Sequence, residues 1–354
     1  HSAPEFAIHQ RLNLGPKISQ SMGGGPTYAS PPGYVHTSYA LVDKDQFFDT
    51  HNEWFWPRDD KTVYGQLCWT NTSLVDYVIS QVKTMLRNQP NATVISVSQN
   101  DNGNYCNDTN EWAVIQEEGS PSGPLLRAVN RVAEAIAEEF PHVRTYNPFV
   151  IIATHTHRTQ VAVDTLAYQY TRKPPKITKP RDNVIVRLCS IECNFAVPFS
   201  DESNKAFRDD MVGWSNISER IWIWNYVTDF GNYVMPWPDY DAIPKNIRWF
   251  ANHSVRGLYQ EANYQSYGGD CAELKTYLMS KLMWDQSLNE TDIVTEFLEL
   301  YFSKSIAPHI QAYLDLWIEQ VKTSNFYLGE SVPYVEFETL LLSHVVTRIS
   351  LKHV

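Results

Sequence analysis

Three carboxyl side chains stand shortly after apolar segments of the sequence, where buried strands are expected to end. Asp101 follows residues 93–98, Glu192 follows residues 184–189 and Glu261 follows residues 255–259. Because the carboxyl ends of barrel strands converge on one mouth, such residues meet in space although they are far apart in the chain. Glycoside cleavage needs two carboxyl groups, so we predict all three as catalytic. Ordinary turn or loop acids are the alternative, since Asn, Asp and Gly favour turns.

Aromatic and amide side chains near the same segment ends are suited to contact a sugar. Side chains alternate along a strand, so Trp224 and Tyr226 share one face of the predicted strand 221–226. The aromatic content is 13%, with 11 Trp and 20 Tyr, which suits a saccharide site, although a large aromatic core explains it equally well. The predicted substrate-binding residues are Asn100, Tyr168, Trp224, Tyr226 and Gln260.

The spacing of the five cysteines predicts two disulfides. Cys189 and Cys193 lie close together, and Cys68 and Cys106 each end or closely follow a predicted strand. Paired cysteines are typical of proteins from an oxidising compartment. We therefore predict the bridges Cys189–Cys193 and Cys68–Cys106, with Cys271 left over. The Cys189–Cys193 bridge would also restrict the position of Glu192, which lies between the two cysteines.

No pattern in the sequence predicts a metal or an organic cofactor. The cysteines lack the CxxC spacing of zinc sites, and His155 and His157 lack an obvious third ligand. A glycine-rich phosphate loop and a GxSxG elbow are also missing from the sequence. We expect neither a cofactor nor a metal site.

Six Asn-x-Ser/Thr sites indicate N-glycosylation, against roughly three expected by chance for this composition. Together with the predicted disulfides they favour an extracellular protein, with a lysosomal or vacuolar one as the alternative. No signal peptide is visible, so we expect His1 to begin a mature form. The predicted glycosylation sites are Asn71, Asn91, Asn107, Asn216, Asn252 and Asn289.

The charge balance excludes one class of partner. A net charge of -11 and a pI near 5.5 are unsuited to neutralising phosphates, so we expect no nucleic-acid partner. The apolar runs are too short to span a bilayer. A carbohydrate ligand fits the composition, and the sequence leaves the oligomeric state open.

Seven predicted strands alternate with helical or loop segments. They cover residues 39–42, 63–68, 93–98, 165–168, 184–189, 221–226 and 255–259. The alternation predicts an α/β fold with parallel strands, and we favour a (β/α)8 TIM-like barrel that is one strand short. An open doubly wound sheet is the alternative, although no GxGxxG follows the early strands. We expect an N-terminal loop segment over residues 1–34, the barrel over 35–268 and a C-terminal helical region over 269–354.

Several strings resemble domain of unknown function 4838. They are HNEWF at His51, QLCWTN at Gln66, SVSQNDNGNYC at Ser96, DTLAYQYTRKPP at Asp164, CSIEC at Cys189, IWNYVTDF at Ile223 and GLYQEANY at Gly257. The resemblance covers roughly residues 51–316 and implies a barrel similar to those of hexosaminidases and alpha-glucuronidases, a helical C-terminal extension and a saccharide ligand. It places Asp101, Tyr168, Glu192, Trp224 and Tyr226 at mouth-facing positions. Residues 147–163 resemble an insertion.

Two departures from that family's pattern bear on activity. Members commonly show Trp-Asp-Tyr where this chain has Trp224-Asn225-Tyr226, and Glu-Gln where it has Gln260-Glu261. Two hypotheses follow. The first is a glycosidase that acts on an amino-sugar or uronic-acid glycan, and the second is an inactive, lectin-like or structural extracellular glycoprotein.

Overall fold

A computed structural model describes residues 24–140 and 161–333, with a few isolated positions before residue 24. Two short strands, Phe55–Trp56 (β1) and Gln66–Leu67 (β2), pair with each other in antiparallel orientation. The centre of the fold is a parallel sheet of five strands, Val94–Ser96 (β3), Ala162–Ala167 (β4), Val184–Cys189 (β5), Ile221–Tyr226 (β6) and Val255–Glu261 (β7). All residues of β3, β4 and β5 are buried, as expected of a parallel sheet covered on both faces.

The strand order follows the chain, from β3 at one edge to β7 at the other. Doubly wound sheets reverse their order at a switch point, and the described strands show no such reversal. The N-terminal segment adds one position, because Tyr28 bridges Val94 in parallel orientation and the Ala29 amide donates to the Val94 carbonyl at 2.9 Å. Over residues 24–140 and 161–333 the sheet stays open, so the predicted α/β parallel sheet is present but a closed eight-stranded barrel is not seen.

Two of the seven predicted strands are wrong. Residues 39–42 fall largely in a short helix, Ser38–Leu41 (α1), which a second one, Lys44–Phe47 (α2), follows. Of residues 63–68 only β2 is a strand, and it lies outside the parallel sheet. A short apolar run has the same composition in a buried helix and a buried strand, so periodicity does not separate them.

Helices alternate with the parallel strands and continue after β7. Those between strands are Thr72–Asn88 (α3), Thr109–Glu118 (α4), Ser122–Glu139 (α5), Lys205–Ser215 (α6) and Ala242–Ala251 (α7). Those after β7 are Ala272–Trp284 (α8), Glu290–Tyr301 (α9) and Ala307–Thr323 (α10). Single 3₁₀ turns cover Asn52–Trp54, Gln169–Thr171 and Glu202–Asn204.

Polar side chains fix where several helices begin. The Asn71 side chain accepts from the Leu74 amide at 3.1 Å, and Asn289 accepts from the Thr291 amide at 2.8 Å. Each satisfies an amide that the first helical turn leaves unpaired. At the other end of α4, Gly119 has φ 65°, a left-handed conformation that glycine adopts without strain.

The predicted Cys68–Cys106 disulfide is present, with a Cα–Cα distance of 5.2 Å. It joins the end of β2 to the loop after β3. The predicted Cys189–Cys193 bridge is wrong, because both residues are free thiols. Cys189 packs on the inner side of the sheet with Leu166 and Tyr168, whereas Cys193 belongs to the main core, so the two side chains lie in different clusters.

Parts of three predicted features lie outside the described residues. They are the insertion, of which residues 147–160 with His155 and His157 are not described, most of the N-terminal segment, and residues 334–354 of the helical region. In the part of the chain that the structure describes, no helix is both long and apolar enough to cross a membrane.

Candidate functional site

A cavity of about 730 Å³ opens at the carboxyl ends of strands β4 to β7. Its wall is built from strand ends, from the N-terminal segment and from the segment that follows α10. Of the residues predicted from the sequence, the cavity brings together Asp101, Tyr168, Trp224, Tyr226 and Glu261. The other lining residues include Tyr34, His36, Cys189, Ile191, Phe230, Tyr259, Tyr264 and Glu330.

Strand register explains why residues from distant parts of the chain meet here. Trp224 lies opposite both Cys189 on β5 and Tyr259 on β7, and Tyr226 lies opposite Glu261. Residues paired in this way point to the same face of a sheet. The period of two along β6 and β7 therefore directs Trp224, Tyr226, Tyr259 and Glu261 into one space.

Glu261 is the acid whose surroundings most resemble those of a proton donor. The Trp224 indole N–H donates to Glu261 Oε2 at 2.6 Å. Burial raises the pKa of Glu261, and the Trp224 hydrogen bond opposes that rise by stabilising the charged form. A carboxyl group with a raised pKa in a cleft is suited to general acid catalysis.

Asp101 reaches the cavity from the loop after β3. Tyr168 lines the same cavity, and the pKa of its hydroxyl is raised by burial first and next by the charge of Asp101. Neighbouring Asn100 is 1% exposed and anchors the loop, because its Nδ2 donates to the Gly65 carbonyl at 2.8 Å and its amide donates to Gln66 Oε1 at 2.9 Å. Asn100 is thus placed to position Asp101, and it is not among the residues that line the cavity.

The structure does not bring Glu192 into the cavity. Its side chain is 44% exposed and its carboxylate accepts from Arg172 Nη1 at 2.8 Å. Arg172 also pairs with Asp210 at 2.8 Å. Glu192 was expected at the cavity because it follows β5, and the disulfide expected to limit its freedom is not formed.

Aromatic rings form one wall of the cavity. Tyr34 and Trp224 lie nearly parallel, with an interplanar angle of 8° and ring centroids 6.0 Å apart, and Tyr259 meets Trp224 edge-on at 4.8 Å. Tyr34 is 47% exposed and Tyr259 is 45% exposed, so both offer ring surface to a ligand. Tyr226 is buried and lies deeper.

The sequence did not predict several lining residues, among them Tyr34, His36 and Glu330. Tyr34 ends the glycine- and proline-rich N-terminal segment, His36 follows it, and Glu330 comes from the segment after α10. His36 has φ 52°, and its Nδ1 donates to the Gln99 carbonyl at 2.9 Å, which leaves Nε2 as the acceptor of the neutral ring. None of the three lies in a periodic segment, so no sequence signal marks them.

A buried ion pair lies beneath the cavity on the inner face of the sheet. Arg187 pairs with Asp164, and both contact the Tyr28 hydroxyl. The guanidinium also lies over the rings of Trp222 and Trp224, at 5.5 Å and 5.7 Å from the centroids. Arg187 is 5% exposed, so its charge is buried beneath the cavity and is already paired with Asp164.

Among the described residues, one group could hold a metal by proximity, Cys68 with Cys106 and Asp108. The two sulfurs of that group form the disulfide and are not free as ligands. The thiol of Cys189 lines the cavity, and burial raises its pKa, which keeps it protonated and poorly nucleophilic.

A family model described as domain of unknown function (DUF4838) matches residues 1–315, most of the chain. The chain belongs to the DUF4838 family. The matched range contains Asp101, Trp224 and Glu261, whereas Glu330 lies beyond it. No curated protein matches the chain.

Solved structures with similar folds share little sequence with this DUF4838 protein. One is a family GH115 4-O-methyl-alpha-glucuronidase with specificity for decorated arabinogalactans, at 12% identity and a TM-score of 0.46 over 90% of this chain and 39% of that one. Another is a mutant of the O-GlcNAc hydrolase of Thermobaculum terrenum, at 10% identity and a TM-score of 0.41 over 87% of this chain and 60% of that one. The DUF4838 chain therefore spans only part of the length of either structure.

The two departures from the DUF4838 pattern do not remove a carboxylate from the cavity. Asn225 Nδ2 donates to Gln260 Oε1 at 2.7 Å, and Asn225 Oδ1 accepts from the Ser190 hydroxyl at 2.7 Å. Because side chains alternate along a strand, these amides lie on the opposite face from Trp224 and Glu261. Neither Asn225 nor Gln260 lines the cavity, so the predicted sugar contact of Gln260 is not placed there.

Proposed function

We propose that the cavity binds a glycan and cleaves a glycosidic bond. The proposal is carried by one observation, the contact of the Glu261 carboxyl with the indole of Trp224, whose ring also forms the aromatic wall. A sugar stacked against that wall would lie next to an acid with a raised pKa. Aromatic surface with a few convergent polar groups is the usual construction of a saccharide site.

Two carboxyl groups take the chemical roles. Glu261 acts as the general acid that protonates the leaving oxygen, since burial favours its protonated form. Asp101 acts as the base or nucleophile, on the loop that Asn100 anchors. Strand ends and an anchored loop hold these two carboxyl groups. Less conformational entropy is therefore lost when the groups align with the substrate for reaction.

Turnover of a panel of aryl glycosides tests the proposal. We expect Glu261→Gln and Asp101→Asn each to lower kcat by about 10²-fold or more while ligand binding is retained, because the loss falls on the transition state. Glu202→Gln is the matched control, since Glu202 is exposed and pairs with Arg208 at 2.9 Å away from the cavity.

Two outcomes would contradict the assignment. Full activity in both Glu261→Gln and Asp101→Asn would remove these residues from catalysis. Sugar binding without turnover of any glycoside would favour the alternative, a lectin-like protein in which the same aromatic wall binds a glycan without cleaving it.

We further propose that the protein is a secreted N-glycoprotein, with a lysosomal or vacuolar location as the alternative. The Cys68–Cys106 disulfide supports an oxidising compartment. Asn91, Asn107, Asn216, Asn252 and Asn289 are exposed, and Asn71 is half-buried at its helix start, so the sites are accessible to modification.

The complete architecture is also a proposal. We propose that the sheet is the wall of a (β/α)8-type barrel over residues 35–268, followed by the helical region. The consecutive order of β3 to β7 supports this, as does the additional parallel bridge of Tyr28.

A further inference from the structure

The cavity is acidic, and its described lining residues include one histidine, His36, but no Lys or Arg. Its charged groups are Asp101, Glu261 and Glu330. The guanidinium nearest to the floor, Arg187, is buried against Asp164 and three aromatic rings. An anionic ligand would therefore meet carboxylates without a counter-charge.

Glu330 adds a hydrogen-bonding group with spare capacity. Its segment is tied to the loop after β6, because the Phe230 amide donates to the Glu330 carbonyl at 2.8 Å and the Val332 amide donates to Asp229 Oδ1 at 3.1 Å. Glu330 Oε2 is buried and has no hydrogen-bond partner among the described residues. A buried carboxyl oxygen without a partner is costly, and a ligand hydroxyl would satisfy it.

We propose that the cavity selects an uncharged sugar, a neutral hexose or N-acetylhexosamine unit, over a uronic acid, and that Glu330 accepts a hydrogen bond from a hydroxyl of that sugar. The inference rests on the proposed glycan-binding function and narrows it to one substrate class. A uronate would add a carboxylate beside the acidic groups Asp101, Glu261 and Glu330 with no Lys or Arg on the described lining to pair with it, and an unpaired charge in a cavity discriminates against the wrong ligand. A neutral sugar offers donors to the same groups.

Burial makes a further negative charge beside Glu330 unfavourable. The pKa of Glu330 is raised by burial and next by the charge of Asp229. Both effects make the carboxyl group sensitive to an added negative charge, and neither hinders a hydrogen bond with a neutral hydroxyl. The geometry alone, an unpartnered oxygen in an acidic cavity, carries the proposal.

The test compares matched pairs of sugars on the wild-type protein by calorimetry. Aryl glucosides and N-acetylglucosaminides of both anomeric forms are set against the corresponding glucuronides at pH 7. We expect a Kd for the uncharged sugar that is at least about tenfold lower, which corresponds to about 1.4 kcal/mol. In Glu330→Gln this ratio should shrink severalfold, whereas Glu202→Gln, an exposed acid outside the cavity, should leave it unchanged.

The outcomes separate the two proposals. Equal or tighter binding of the glucuronides would overturn the selectivity while leaving glycan binding intact. A wild-type preference that Glu330→Gln does not change would remove Glu330 from it. Failure of every sugar to bind would overturn the proposed function itself. Because the wild-type ratio is measured first, the inference can be refuted even when the variant does not fold.

Discussion

The hydrogen bond between Trp224 and Glu261 can be removed without removing the aromatic wall. Trp224→Phe keeps an aromatic ring between Tyr34 and Tyr259 but loses the N–H that donates to Glu261 Oε2 at 2.6 Å. A hydrogen bond to a charged group is worth about 1.5–3 kcal/mol in favour of the charged form. Both residues are only half-buried, so the lower end of that range is expected. The pKa of Glu261, already raised by burial, should rise further.

The assay follows the ionisation of Glu261 and its consequence for rate. Carbon-13 NMR of labelled glutamate carboxyl groups measures the titration midpoint of Glu261 directly. The pH profile of kcat/KM measures the same midpoint through activity. If Glu261 is the general acid, the alkaline limb of the profile should move to higher pH in Trp224→Phe, because the protonated form persists longer. Tyr259→Phe is the control, since it changes a ring on the same wall without touching this bond. An unchanged or lowered midpoint in Trp224→Phe would refute the reasoning.

Two further predictions concern stability. Replacing Cys68 and Cys106 by Ser should lower the free energy of unfolding by about 4 kcal/mol, as expected for a bridge that closes a loop of 38 residues. Urea unfolding with and without reductant measures this difference. Equal stability of the variant and the wild type would contradict the loop-closure account. Burial raises the pKa of Glu111 from its ordinary 4.5 to about 7. Its protonated carboxyl group therefore contributes about 3 kcal/mol to the free energy of unfolding below pH 4.5, and this contribution is lost as the pH rises through 7. Unfolding at pH 5 and 7.5 should show this fall in the wild type and a flatter profile in Glu111→Gln; parallel profiles would contradict it.

Two strands were predicted with the correct bounds. Residues 184–189 and 221–226 match β5 and β6, because each is a six-residue run of mainly apolar and β-branched or aromatic residues. Residues 39–42 failed because four apolar residues fit a helical turn equally well, and α1 is what forms there.

The candidate site was predictable where it depends on strand alternation. A period of two places Trp224 and Tyr226 on one face, and the same period places Glu261 opposite Tyr226. Glu192 follows β5 as expected, but its side chain pairs with Arg172 at 2.8 Å outside the cavity, a tertiary contact that no local pattern indicates. Glu330 lies nearly 70 residues beyond β7 and returns to the cavity through backbone hydrogen bonds, for which no local pattern exists.

The acidity of the cavity and the burial of the cation beneath it have one structural cause. Arg187 lies on the same face of the sheet as Glu261, but Asp164 neutralises it and the ring of Trp224 covers it at 5.7 Å. Burial raises the pKa of Glu261, and the Trp224 hydrogen bond opposes that rise. A single indole therefore separates a buried cation from the proposed acid while also presenting a ring to the ligand. An exposed Arg187 would instead lower the pKa of Glu261 and favour the binding of an anionic sugar. The proposed proton donation by Glu261 and the proposed selectivity against uronic acids therefore depend on the same packing of Arg187.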